Sequence, residues 1–219
     1  MNEVRAIHIS GYERAAQDFY RTPSWVTETL LRHVTLRGPV WEPCCGDGAM
    51  AKVIAEHGHQ VVASDIVDRG YGKSGIDFFK CQKFPEGCTA MVTNPPYGEA
   101  GPQNRSAGFS RSAMPRFVQH ALNLTRQANG QLALLVRLQW TAGKTAADLI
   151  TSGPLDTMVA LTRRILWFDM GPKTHNAQHH HCWLFWDFQR SSQCPPRIVF
   201  GGPEPRRRYR DDPVRRDHA

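Results

Sequence analysis

Thr89-Ala90-Met91-Val92-Thr93-Asn94-Pro95-Pro96-Tyr97 is the stretch on which the fold of this chain turns. A β-compatible run ends at an asparagine followed by two prolines. Proline fixes its own φ, lacks a backbone N–H and pushes the residue before it into an extended conformation. The Asn94 side chain and the adjoining carbonyls are therefore held in one orientation at a strand end.

Working outward, two earlier apolar runs end in the same way. Gln60–Ser64 is β-rich and stops at Asp65, and Val40-Trp41 enters Glu42-Pro43-Cys44-Cys45-Gly46-Asp47-Gly48. Ala49 to His57 then has helical spacing, with Gly58 as its stop. Upstream, Thr22 as N-cap and Pro23 at the first helical position open a helix carrying Trp25, Val26, Leu30, Leu31 and Val34. Downstream, a helix of about residues 114–128 precedes Leu132–Leu138, the strongest buried-strand signal. Met158–Phe168 and Cys182–Phe188 are aromatic-rich runs that predict an antiparallel pair at the end of the sheet. Alternating helices and strands predict an α/β fold.

In open α/β sheets ligands bind beyond the carboxyl ends of the strands. Three strand ends here carry suitable groups. The glycine turn lets backbone approach a ligand. It lacks the third glycine of a dinucleotide fingerprint, and nothing matches a P-loop. Asp65 offers a carboxylate for ribose hydroxyls, with Ile66 beside it. Asp77-Phe78 offers a carboxylate for an exocyclic amine and a ring for stacking.

Composition bounds the rest. The chain has 219 residues, 41% hydrophobic and 21% charged, with a net charge of +7. That is globular, not disordered. No apolar run reaches the roughly 18 residues of a membrane span, and no secretory signal is visible at residues 1–17. A cytoplasmic protein with reduced cysteines follows as the expectation. A single domain is predicted over 1–200, followed by a flexible basic tail at 201–219; residues 205–219 hold six Arg and three Asp. Residues 99–113 read as a long polar loop containing Arg105 and Arg111. The His179-His180-His181 run matches no zinc spacing, and adjacent residues of an extended chain face opposite ways. No metal is expected.

Taken together, these motifs resemble the S-adenosylmethionine-dependent (D/N/S)PP(Y/F) amino-methyltransferases, most closely the small phage-type or gamma-order DNA adenine-N6 methyltransferases. The resemblance is strong over residues 19–97. Phe19-Tyr20-Arg21-Thr22-Pro23 resembles the N-terminal cofactor segment, and Glu42–Gly48 the glycine loop. Asp65 resembles the ribose-binding acid, Asp77-Phe78 the adenine contact, and Asn94–Tyr97 the catalytic motif. His181–Trp186 resembles the late antiparallel strand. Cys44-Cys45 departs from the pattern, which often has small residues there.

The resemblance implies the class I methyltransferase fold, a Rossmann-like three-layer sandwich whose seven-stranded, mostly parallel sheet has one antiparallel strand. It implies S-adenosylmethionine as cofactor, bound by Tyr20, Thr22, Pro23, Glu42, Pro43, Cys44, Gly46, Gly48, Asp65, Ile66, Asp77, Phe78 and Asn94. It implies catalysis by Asn94, Pro95, Pro96 and Tyr97, with duplex DNA as partner of a monomer or homodimer, in a phage-type or restriction–modification setting. Contacts to DNA are expected from loops 99–116 and 169–180, through Arg105, Arg111, Arg116, Lys173 and His175. RNA adenine-N6 methylation and glutamine-N5 methylation of a protein share the motif. The latter is disfavoured by the short segment before the first strand. Cytosine-N4 enzymes usually carry Ser in place of Asn94, and a catalytically idle binding module is disfavoured by the intact tetrapeptide.

Overall fold

The computed structural model describes residues 20–96, 113–167, 179–191 and 194–203. In chain order the elements are α1 (Ser24–His33), β1 (Val40–Glu42), α2 (Ala49–Glu56), β2 (Val61–Ala63), β3 (Ala90–Thr93), α3 (Ala113–Gln127), β4 (Gln131–Arg137), α4 (Lys144–Thr151), β5 (Leu155–Leu161), β6 (His181–Asp187) and β7 (Arg197–Gly201). Short 3-10 turns occupy Phe78–Lys80 and Leu138–Ala142.

The strands form one seven-stranded sheet in the order β2-β1-β3-β4-β6-β5-β7. All pairings are parallel except those of β6, which runs antiparallel to both β4 and β5. The predicted mostly parallel sheet with one reversed strand is therefore what the chain builds. The segment after Asp65 adds a single parallel bridge, Ser64 to Lys73. The seventh strand, which the sequence reading did not locate, is β7 at the edge opposite β2.

Both sheet faces are covered, which explains why β4 and β6 read as continuous apolar runs. On one face Leu132, Leu134 and Val136 join Cys182, Leu184 and Trp186 beneath α3 and α4; on the other Ala133, Leu135, Trp183 and Phe185 pack beneath α1 and α2. The two buried indoles tie the helices down: Trp183 Nε1 donates to the Val26 carbonyl at 2.9 Å and Trp186 Nε1 to that of Ile150 at 3.0 Å. Trp183, Phe185 and Trp186 are thus core residues.

The amino-end side of the sheet is closed by a polar clasp. Arg37 makes a bidentate pair with Asp187 at 2.5 and 2.6 Å. Gln131 accepts from the Arg37 N–H and donates to the Thr35 carbonyl and to Asp187. Burial by itself raises the Asp187 pKa, but hydrogen bonds from Arg37, Gln131 and the Gln189 N–H outweigh it and hold the carboxyl below its ordinary value. A depressed carboxyl stabilises the fold above its unfolded pKa and loses that contribution as pH falls through the folded value. Asp187→Asn should therefore lower Tm at pH 7. The gap to wild type should shrink as pH drops below about 3.9, as thermal denaturation across pH would record.

Candidate active site

The carboxyl ends of β1, β2 and β3 surround a cleft of about 430 Å³, within the roughly 300–1,000 Å³ of small-ligand sites. Its walls come from residues 20–22, the glycine loop, the start of α2, the segment after β2, and Asn94-Pro95-Pro96.

The glycine loop is held from two sides. Asp65 Oδ2 accepts the Gly46 N–H at 2.8 Å and Oδ1 that of Val67 at 3.0 Å. The Cys45 N–H donates to the Ser64 carbonyl, and Ser64 Oγ accepts from Trp41 Nε1. Gly46 and Gly48 have φ of +56° and +78°, a backbone that L side chains rarely adopt. The ring of Tyr71 lies over Gly48, 2.4 Å from where a Cβ would stand.

Carboxylates also answer the start of α2. Asp47 Oδ1 accepts the Ala49 N–H at 3.1 Å, and its other oxygen pairs with Arg21 Nε at 2.8 Å. Glu42 accepts the Ala51 N–H while its Oε2 is buried with no hydrogen-bond partner. Burial, with Asp65 and Asp47 nearby, raises the Glu42 pKa well above the ordinary range despite the Ala51 bond. Backbone donors that elsewhere cradle phosphate are thus already engaged by acids. Glu42, Asp47 and Asp65 thus bring three acids to the cleft, where Arg21 pairs with Asp47 and Arg69 also lines the wall.

Asn94 faces this cleft from β3. Its Nδ2 donates to Thr22 Oγ1 at 3.1 Å and reaches the Tyr20 carbonyl at 3.4 Å. Two acceptors fix the amide orientation, because Oδ1 cannot face the Tyr20 carbonyl. Asn94 Oδ1 is then buried and unpartnered, an acceptor waiting for an N–H. Thr22 is recruited here and not as a helix cap: α1 starts at Ser24, with Pro23 in the cap position and no side-chain cap bond.

The structure thus brings together Tyr20, Thr22, Glu42, Cys44, Gly46, Asp65, Ile66, Asn94, Pro95 and Pro96 at one cleft. It does not bring Asp77 and Phe78 there. Asp77 caps the Phe78–Lys80 turn by accepting the Phe79 N–H, and Phe78 is buried, stacked on Phe117 at 4.3 Å and against Trp41. The apolar environment beneath α3 claims that ring. Tyr97, Arg105, Arg111, Lys173 and His175 lie outside the described residues, as does the tail from 204 onward. Arg116, on α3, sits with its guanidinium 5.0 Å from the Phe79 ring. Burial raises both cysteine thiols, Cys45 to about 12, so both stay protonated and unreactive. The histidines diverge as expected: His180 accepts from Arg164 Nε, while His181 packs edge-on against Trp167.

Arg21, Asp47 and Arg69 also line the cleft and were absent from the expected site residues. Asp47 was legible as an acid between two glycines at a helix start. Tyr71, packed on Gly48, carries no sequence signal.

No family model and no curated protein matches this chain. Solved structures do. A protein of Listeria monocytogenes assigned to the class I S-adenosylmethionine-dependent methyltransferases superposes with a TM-score of 0.53 at 14% identity, covering 81% of this chain and 62% of its own. The modification subunit assigned to a type I restriction enzyme of Vibrio vulnificus gives 0.54 at 16%, covering 87% and 49%. The fold is that of the class I methyltransferases. A third structure, the methyltransferase subunit of a type I restriction–modification system of Streptococcus thermophilus, gives 0.52 at 14%, covering 77% and 43%. The chain spans between about two fifths and three fifths of these class I structures.

Gly48→Ala places a methyl into the Tyr71 ring at a left-handed φ. Such strain costs about 1–3 kcal/mol. Differential scanning calorimetry should show a lowered Tm, together with weakened ligand binding in the cleft.

Proposed function

We propose that this chain transfers the methyl group of S-adenosylmethionine to the exocyclic N6 amine of adenine in DNA. The observation that carries the reading is the buried, unpartnered Asn94 Oδ1 at the rim of an acid-lined cleft. The cofactor suits that cleft, since it combines a sulfonium and an ammonium with a carboxylate, and the walls combine three acids with two guanidinium groups. When bound it supplies an electrophilic methyl group; the remaining roles belong to the chain. Glu42 Oε2 accepts from the ammonium. The Asp65 oxygens, each with one backbone donor, keep capacity for ribose hydroxyls. Ile66, 62% exposed, offers an apolar surface to the adenine ring of the cofactor.

The target amine is a poor nucleophile because its lone pair is delocalised into the ring. Asn94 Oδ1 accepts one of its N–H groups and the Pro95 carbonyl the other. Held so, the nitrogen turns its lone pair toward the methyl group. The same two oxygens stabilise the positive charge that develops on nitrogen. As the N–C bond forms, the C–S bond breaks and S-adenosylhomocysteine leaves with its electron pair; the methylated nitrogen then sheds its extra proton to solvent, so no strong general base is needed. A base in duplex DNA reaches this position only by leaving the stack, and Tyr97 is the residue placed by sequence to stack on it. The net positive charge favours a nucleic acid over a protein glutamine. The restriction–modification systems of two structural neighbours agree with DNA as the polymer.

Methyl-labelled cofactor incubated with duplex DNA, single-stranded DNA, RNA and protein should label DNA, as N6-methyladenine on nucleoside analysis. Label in methylglutamine would refute the reading. Asn94→Ala should lower turnover by roughly 10²–10³, the usual cost of one transition-state acceptor or donor, with cofactor affinity largely kept. A variant with near-normal turnover would remove Asn94 from catalysis.

Glu42 gives a pH signature. Its pKa is raised in the free cleft, so a bound cation must draw it toward the ionised form and release a proton. Cofactor affinity should rise with pH up to the raised value and then level off. Glu42→Gln should abolish that dependence in calorimetric titrations, which also count the protons released.

A further inference from the structure

We propose that β7 is a self-pairing edge through which two copies of this chain join into one continuous sheet. β7 closes the sheet on the side away from the cleft and pairs, among the described residues, only with β5. Its free edge carries two large exposed apolar side chains, Ile198 at 62% and Phe200 at 72% exposure. Native sheets usually blunt such edges with charge, proline or a bulge, because an open apolar edge is a template for another strand.

The backbone determines which groups are on offer. The Thr162 N–H donates to the Gly201 carbonyl, so Gly201 turns its polar groups toward β5. By alternation Arg197 and Val199 do the same, leaving the N–H and C=O of Ile198 and Phe200 directed at the free edge. An antiparallel pairing centred on Val199 sets Ile198 of one copy opposite Phe200 of the other. It satisfies those outward groups reciprocally and is self-complementary, as a two-fold interface requires. The apolar pairs fall on one face. Arg197 meets Gly201, so no like charges oppose, and Arg197 is already engaged with Asp156 and Thr157.

The chain's own continuation starts on the wrong face to fill this role. Val199 packs toward α1, and the Gly202 carbonyl accepts from Thr29 and Arg32 of that helix. The described chain therefore leaves β7 on the side opposite Ile198 and Phe200. Pairing of this kind runs the strands of the two copies in opposite directions. The two clefts, at the carboxyl ends of their strands, then open on opposite edges of the joined sheet.

Sedimentation velocity of the full chain over a concentration series should show a monomer shifting to a species of doubled mass, and Ile198→Lys with Phe200→Lys should hold it monomeric. Hydrogen exchange on the wild type reads the contact itself. The amides of Ile198 and Phe200 should gain protection with concentration, while that of Val199 stays protected throughout. A wild type that is monomeric at every concentration overturns the proposal. So does a dimer in which those two amides exchange freely, or protection of them in the monomer, which would mean that the chain covers its own edge.

Discussion

The carboxylate of Asp65 holds the functional end of the molecule together. It stands at the end of β2, yet it accepts the N–H of Gly46 in the loop after β1, so one side chain couples two strand ends. The loop needs such a clamp because Gly46 and Gly48 sit at positive φ, and glycine surrenders more conformational freedom on ordering than any other residue. With the loop fixed, α2 begins where Asp47 and Glu42 can answer its first N–H groups. The cleft's acidity is thus part of what makes the loop fold, and the same acids define what the cleft will hold.

That dual use separates this site from the phosphate-binding members of the α/β class. There, free amides and the helix dipole attract an anion. Here the amides point at internal carboxylates, and Glu42 keeps an unsatisfied oxygen in a desolvated position. A buried acid oxygen without a partner is costly, and that cost is relieved when a donor arrives. Asn94 is built on the same principle. Its amide nitrogen is anchored to residues 20–22, and its oxygen is left open. Two unpartnered acceptors thus face a cleft suited to a cationic nucleoside beside an amine.

Much of this was legible in the residues. The strand ends at Glu42, Asp65 and Asn94 follow from apolar runs interrupted by glycine, acid or proline, and each lies at the cleft. The reversed strand was legible too, because two aromatic-rich runs near the chain's end can hardly be anything but neighbours. What failed to show was tertiary. Thr22 has the identity and position of a helix cap, and only the proximity of Asn94 redirects its hydroxyl. Phe78 follows an acid in a turn, as a stacking ring would, but Trp41 and Phe117 from distant segments draw it into the core. The edge strand β7 lies in a proline-flanked stretch whose five residues pattern too weakly to stand out.

The acids of the cleft and the open asparagine oxygen favour a cofactor that bears a sulfonium and an ammonium over a dinucleotide. Calorimetric titration of the full chain with S-adenosylmethionine, and in parallel with a nicotinamide dinucleotide, tests this preference most directly. Saturable one-to-one binding of S-adenosylmethionine, weakened by Asp65→Ala, is expected, with no binding of the dinucleotide. Tighter binding of the dinucleotide than of S-adenosylmethionine would contradict it.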